Sequence, residues 1–185
     1  MKKLVWGILG LFLLLSVNMF GQSKLTTKTG EVTFYSDAPM EKIQATTKKA
    51  MSAIEVATGK IEFAVLVNGF VFEKALMQEH FNENYMESTK YPKATFKGNI
   101  TNIKDINFAK DGTYKANVSG NLTIHNVTKP AATVATITVK GGKVMATSTF
   151  NIKLEDYKVE IPALVKDKIA KEVKIVVNTN YEASK

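Results

Sequence analysis

His80 and His125 are the only histidines in this sequence, and no other side chain combines an ordinary pKa near neutrality with such readiness to bind metal. Cysteine is absent. That removes thiolate nucleophiles, thiolate metal sites and disulfides together. His80 lies beside Glu79, and its i,i+3 spacing from Glu83 puts both side chains on one face of a helix. Two donors do not complete a zinc or iron centre; His125 or Asp156 would have to converge on them. A hydroxyl nucleophile would need one of the two histidines as its base, and no Gly-x-Ser-x-Gly elbow occurs. Asp105, Asp156 and Glu160 carry no signature of carboxylates paired across a cleft. The expectation is of no catalytic residue and no metal site. A metal-dependent enzyme or redox protein using His80 and His125 is the alternative.

The same segment is richer in apolar side chains than in donors. Phe70, Phe72, Leu76, Met77, Phe81, Tyr85 and Met86 crowd into seventeen residues. Met77, Phe81 and Tyr85 repeat at i, i+4 and i+8, which gives a short helix one apolar stripe. The stripe either plugs the end of a barrel or lines a hydrophobic cavity, with methionine as an adaptable wall. Spacing alone leaves both readings open.

The elements that would position this segment are strands. Period-two alternation predicts strands at Glu31 to Ser36, Ile61 to Asn68, Tyr114 to Ile124, Thr133 to Val139, Val144 to Ile152 and Val173 to Tyr181. Ile43 to Lys48 and Ser52 to Val56 read as two weaker ones. Turns fall at Asp37-Ala-Pro39, Thr58-Gly59-Lys60, Asp111-Gly112 and Gly141-Gly142. Along Tyr114 to Ile124 one face is apolar and the other polar, the antiparallel pattern. Gly98 and Gly120 interrupt strands, as where a sheet bends or a ligand comes close. About eight strands without crossover helices predict an all-β meander that closes on itself to remove its edges. Barrel and sandwich both satisfy that pattern.

All 25 basic residues are lysine, against 17 acidic ones. Without arginine the chain is poorly equipped to read bases, and no nucleic-acid partner is expected. Transient attraction to an anionic membrane surface stays open. Residues 1–23 read as a signal peptide, with Lys2 and Lys3 before an apolar run from Leu4 to Val17 that is short for a membrane span. The remainder, 24–185, is then one exported, periplasmic or otherwise secreted domain that folds by burial alone. The Asn-x-Ser/Thr triplets at Asn99, Asn117, Asn121 and Asn126 coincide with polar strand faces and read as compositional.

Two blocks carry a resemblance. "HFNENYMESTKYPKATFKG" supplies His80, Phe81, Tyr85, Met86, Lys90, Tyr91, Pro92, Thr95 and Phe96; "SGNLTIHNVTKP" supplies Gly120, Leu122, Thr123, Ile124, His125, Val127, Thr128, Lys129 and Pro130. Both resemble the signature segments of the YceI-like family of periplasmic polyisoprenoid-binding proteins. The later "FNIKLEDYKVEIP" and "EVKIVVNTNYEA" fit loosely. Met77-Gln78 stands where Arg-Asp is common, Asn126 replaces the usual glycine, and the Asp and His-Ser pattern ahead of the first strand is missing around Thr27 to Glu31. The resemblance implies an extended antiparallel eight-stranded lipocalin-like barrel with one short helix. It also implies a long apolar pocket for an isoprenoid tail, export to the periplasm and no established catalytic role.

Together these readings predict a hydrophobic lipid ligand of quinone or polyprenyl type and no other cofactor, on a monomer or homodimer. Alternation and the apolar segment place the pocket wall at Phe63, Val65, Phe70, Phe72, Leu76, Met77, Phe81, Tyr85, Phe96, Val118, Leu122, Phe150 and Ile175. His80 and His125 are the polar residues of the two motifs.

Overall fold

Most strands of the computed structural model, which describes residues 24–183, are longer than the alternation suggests. The stretch 1–23, read above as a signal peptide, lies outside the described residues. In chain order the elements are β1 Lys24–Asp37, β2 Lys42–Glu55, β3 Lys60–Leu66, β4 Val71–Phe72, α1 Ala75–His80, β5 Lys93–Ile100, β6 Gly112–Ile124, β7 Val127–Lys140, β8 Lys143–Lys153 and β9 Glu172–Ala183. Every pairing is antiparallel. The order β1-β9-β8-β7-β6-β5-β3-β2 returns to β1, closing an eight-stranded barrel. β4 is a two-residue addition that pairs Val71 and Phe72 with Thr46 and Ala45, beyond the point where β3 leaves β2. Closure satisfies the backbone groups that an open sheet would leave at its edges.

The two weak strands expected between Ile43 and Val56 are one strand, β2. Lys48 and Lys49 are both exposed, and Ala50 returns to the interior. Opposite them, Lys28 and Thr29 are also both exposed, and the β1–β2 register shifts on either side of Gly30. A bulge of this kind reverses the inward face without ending the strand, so the break in alternation mimics a strand end.

β7 begins six residues before the expected Thr133 and runs through Pro130. Its hydrogen bonding to β6 is continuous, whereas its pairing with β8 covers only Ala135 to Lys140. Pro130 therefore sits where one side of the strand has no neighbour, and its missing N–H breaks no ladder. The turn Glu155–Tyr157 after β8 packs against both strands beside this split, and Tyr157 is buried there.

Gly98 and Gly120 face each other across β5 and β6. A Cβ on Gly120 would fall on the carbonyl oxygen of Lys97 and 2.5 Å from Gly98 Cα, and one on Gly98 would lie 2.7 Å from Phe96 Cζ. The two backbones approach so closely that neither position admits a side chain. Gly120→Ala is expected to cost about 2 kcal/mol through this overpacking. For a domain of this size that lowers Tm by about 4–8 °C; an unchanged thermal unfolding midpoint would contradict the close approach.

The two ends of the barrel differ. Leu25, Ile54, Ile61, Ile100, Ile106, Ile137, Val139, Val144 and Tyr181 form a buried core at the end that holds the β2–β3, β5–β6 and β7–β8 connections. The two longest connections, the 67–92 and 154–171 segments, lie at the other end with the short β1–β2 and β6–β7 turns. One end is a packed plug and the other is covered by loops.

Candidate functional site

Between the plug and the loops lies a cavity of about 630 Å³, within the range of roughly 300–1,000 Å³ typical of small-molecule pockets. All thirteen residues expected on the pocket wall line it: Phe63 and Val65 from β3, Phe70 and Phe72 around β4, Leu76 and Met77 from α1, Phe81 and Tyr85 just after it, Phe96 from β5, Val118 and Leu122 from β6, Phe150 from β8 and Ile175 from β9. Alternation in β3, β6, β8 and β9 thus matches the faces turned to the cavity, whereas β5, which carries Phe96, was not among the strands that alternation predicts. Lys74, Leu76, His80 and Lys168 line the cavity and are also exposed, which marks its mouth.

The apolar stripe has a cause beyond helical spacing. α1 covers only Ala75–His80, and Phe81–Tyr85 continues in wider π turns, with the N–H of Met86 reaching the carbonyl of Phe81 at 2.9 Å. This keeps Met77, Phe81 and Tyr85 on the cavity side, and Met86, buried against Val67, Tyr157 and Val159, lines the cavity as well. The Phe72 backbone N–H donates to Gln78 Oε1 at 3.2 Å, and Asn82 Nδ2 donates to the Gln78 carbonyl at 2.9 Å, so the segment is tied to β4.

Phe81 is the hub of an aromatic cluster. Its ring centroid lies 5.0 Å from Phe72, 5.4 Å from Phe34 and 5.8 Å from Phe70. Phe34 was not among the expected wall residues, although Val32 and Phe34 share the apolar face of β1; both line the cavity. Val165 and Ile169 were also missed. They lie in or beside the lysine-rich stretch Lys166 to Lys171, and both line the cavity.

Polar groups on the wall are few and have no charge at the interior. Thr133 Oγ1 and Ser148 Oγ hydrogen-bond to each other at 3.1 Å across β7 and β8. Beside them Ala131, Ala135 and Ala146 keep this wall low. Deeper, Tyr181 and Ser52 share a buried hydrogen bond of 2.8 Å, and burial raises the Tyr181 phenol pKa above its ordinary value.

The two histidines are not brought together. His80 is exposed at the mouth, and no hydrogen bond or ion pair holds its ring among the described residues. His125 lies outside the cavity lining, where its Nε2–H donates to Glu87 Oε2 at 2.9 Å and its ring meets Tyr91 edge-on at 4.7 Å. Among the described residues no three His, Asp or Glu side chains gather as a metal centre would require. The convergence that a metal site on His80, Glu83 and His125 demands is missing.

A family model for the YceI-like domain matches residues 20–181. The chain belongs to the YceI-like family. Among solved structures, a polyisoprenoid-binding domain from Saccharophagus degradans, implicated in plant cell wall breakdown, is similar at TM-score 0.77 and 17% identity, over 88% of this chain and 99% of that one. Burkholderia cenocepacia BcnA gives TM-score 0.67 and 19% identity, covering 83% and 96% of the two chains. A mutant of the Campylobacter jejuni YCEI protein, carrying a monobromobimane guest, gives 0.54 and 18%, covering 74% and 81%. At these identities the likeness is one of fold. No curated protein matches the chain.

The YceI-like motif residues have a structural reading here. Glu87, Lys90, Tyr91 and His125 form a clasp between the 81–92 segment and the β6–β7 hairpin. Lys90 lies 3.6 Å from Glu87 and 4.9 Å from the centre of the Tyr91 ring. The hydrogen bond from His125 holds the Glu87 carboxyl below its ordinary pKa, against desolvation and with a smaller attraction from Lys90. The hairpin turn puts His125 at φ 49° and Asn126 at φ 60°, both left-handed. Asparagine tolerates that region better than most residues, which suits Asn126 to this turn.

Proposed function

We propose that this YceI-like protein is a binding protein, not an enzyme, which sequesters or carries a lipid with an isoprenoid tail, of quinone or polyprenyl type, in an exported compartment such as the periplasm. The carrying observation is the cavity itself. It is enclosed by a closed barrel, plugged at one end, open at the other, and walled by phenylalanine and aliphatic side chains, with hydroxyls in the interior and the charged Glu41, Lys74 and Lys168 beside His80 at the mouth. Such a wall suits a ligand defined by its chain: each buried methylene contributes on the order of 0.8 kcal/mol, so a long tail binds without a charged partner. The Saccharophagus degradans neighbour, a polyisoprenoid-binding domain of the same fold, supports this choice among lipid classes. The apolar run in 1–23 supports export.

Organic extraction and mass spectrometry of protein purified from its native host tests the reading. The expected result is a co-purified isoprenoid lipid near stoichiometric amount. Protein that is lipid-free after gentle purification, and that takes up no isoprenoid offered to it, would overturn the proposal.

A further inference from the structure

Three connections meet at the mouth, and each holds an apolar side chain out in solvent. Met40 on the β1–β2 turn is 70% exposed, Leu76 on α1 61%, and Leu164 on the turn after Pro162 96%. These tips are held in place. The Met40 N–H donates to the Asp167 carbonyl at 3.0 Å, the Ala170 N–H to Ser36 Oγ at 2.8 Å, and the Leu154 N–H to the Lys171 carbonyl at 2.9 Å. Lys74 and Glu41 pair at 3.5 Å, joining α1 to the β1–β2 turn. The Leu164 turn is itself closed by Val165 N–H to the Pro162 carbonyl at 3.0 Å. A leucine presented this way by a bonded turn costs solubility and gains the fold no burial.

Charge is distributed unevenly around these tips. The segment from Lys158 to Lys171 carries four lysines against Glu160 and Asp167. Lys166, Lys168 and Lys171 form no ion pair among the described residues. The acidic residues Glu73, Glu79 and Glu83 line a separate hollow with Gln78 and Asn82, on the side of α1 away from the cavity. The mouth thus presents apolar tips with lysines beside Leu164, while the helix turns its carboxylates elsewhere.

We propose that this rim docks on the surface of a bilayer containing anionic phospholipid, with Leu164, Met40 and Leu76 entering the interface and Lys166 and Lys171 meeting the headgroups. The arrangement deepens the lipid-carrier reading, and rests on it, by placing the cavity mouth against the surface that supplies or receives the ligand. Apolar insertion and lysine attraction act together, each too weak alone for stable attachment. Binding is therefore reversible, as a carrier requires.

Flotation with vesicles of phosphatidylcholine, with and without phosphatidylglycerol, tests this on the chain from residue 24 onward. The native protein is expected to float with the mixed vesicles and to be released by high salt. Leu164→Glu is expected to weaken binding by about tenfold or more through lost apolar insertion. Lys166→Glu with Lys171→Glu should weaken it about tenfold on the anionic vesicles only. Val134→Glu, at a 57% exposed site on the barrel wall, should float as the native protein does. Lipid retained in detergent is measured on the same preparations, so failure of docking and failure of the pocket are read separately. Native protein that ignores anionic vesicles overturns the proposal, as does a Leu164→Glu variant that floats unchanged. Sedimentation showing a native dimer that Leu164→Glu dissociates, with no vesicle binding, assigns the rim to a second copy of the chain and also overturns it.

Discussion

Ser148→Trp is expected to abolish retention of the extracted lipid while leaving the barrel folded. Ser148 faces the cavity midway along β8, opposite Ala135 on β7 and Val177 on β9, and it bonds only to Thr133 within the wall. An indole at this point enters the cavity and occupies space in the 630 Å³ that a tail would fill. Ligand retained per protein should fall at least tenfold, since a tail excluded from even two or three methylenes of burial loses about 1.4 kcal/mol or more. The new ring gains apolar contacts in place of empty volume, so Tm should change by only a few degrees. Native retention in Ser148→Trp would mean that the lipid sits outside the barrel. A collapsed fold would be recognised by circular dichroism, and Ser148→Leu, a smaller intrusion, then gives the graded comparison.

Phe81→Ala is expected to act on both stability and ligand release. Phe81 is half-buried and stacks on Phe34 while touching Phe70 and Phe72 edge-on or tilted. It stands where α1 gives way to the π turns, so its ring fixes the covering segment to β1 and β4. Fully buried phenylalanines lose about 3–5 kcal/mol on truncation; for this half-buried one about 2 kcal/mol is expected. The expected readouts are a Tm lowered by about 4–8 °C and lipid dissociation accelerated at least tenfold. Phe81→Leu should recover most of the stability. A variant with reduced Tm and native dissociation kinetics would show that the segment plugs the barrel without touching ligand.

The inward faces were legible because period two survives wherever a strand keeps one face in the cavity. Ile61-Phe63-Val65 and Val118-Gly120-Leu122 show this plainly. The β1–β2 pair was harder. Lys48-Lys49 and Lys28-Thr29 are the outer residues of a bulge, and a phase reversal in one chain looks the same as two strands with a turn. Pro130 hid the first half of β7, because nothing in the sequence shows that β8 departs before reaching it. Closure into a barrel rests on β1 pairing with both β2 and β9, a long-range fact that local pattern leaves open.

The site shows the same division. Phe34 belongs to a legible alternation, whereas Ile169 is enclosed by Lys168, Ala170 and Lys171 and reaches the mouth only because hydrogen bonds to the Met40 backbone and the Ser36 hydroxyl fold the 154–171 segment over the barrel. The histidines were legible as motif members, and the structure keeps them apart. One is part of a clasp on the outside of the barrel and the other stands free at the rim.

The central claim is that the cavity recognises a chain and leaves the headgroup little to do. The most direct measurement is the affinity of delipidated protein for quinones of one headgroup and increasing tail length, with a second headgroup at matched length. Affinity is predicted to rise steeply with each added isoprene unit until the cavity is filled, and to change little between headgroups. Equal affinity for short-tailed and long-tailed quinones would contradict it.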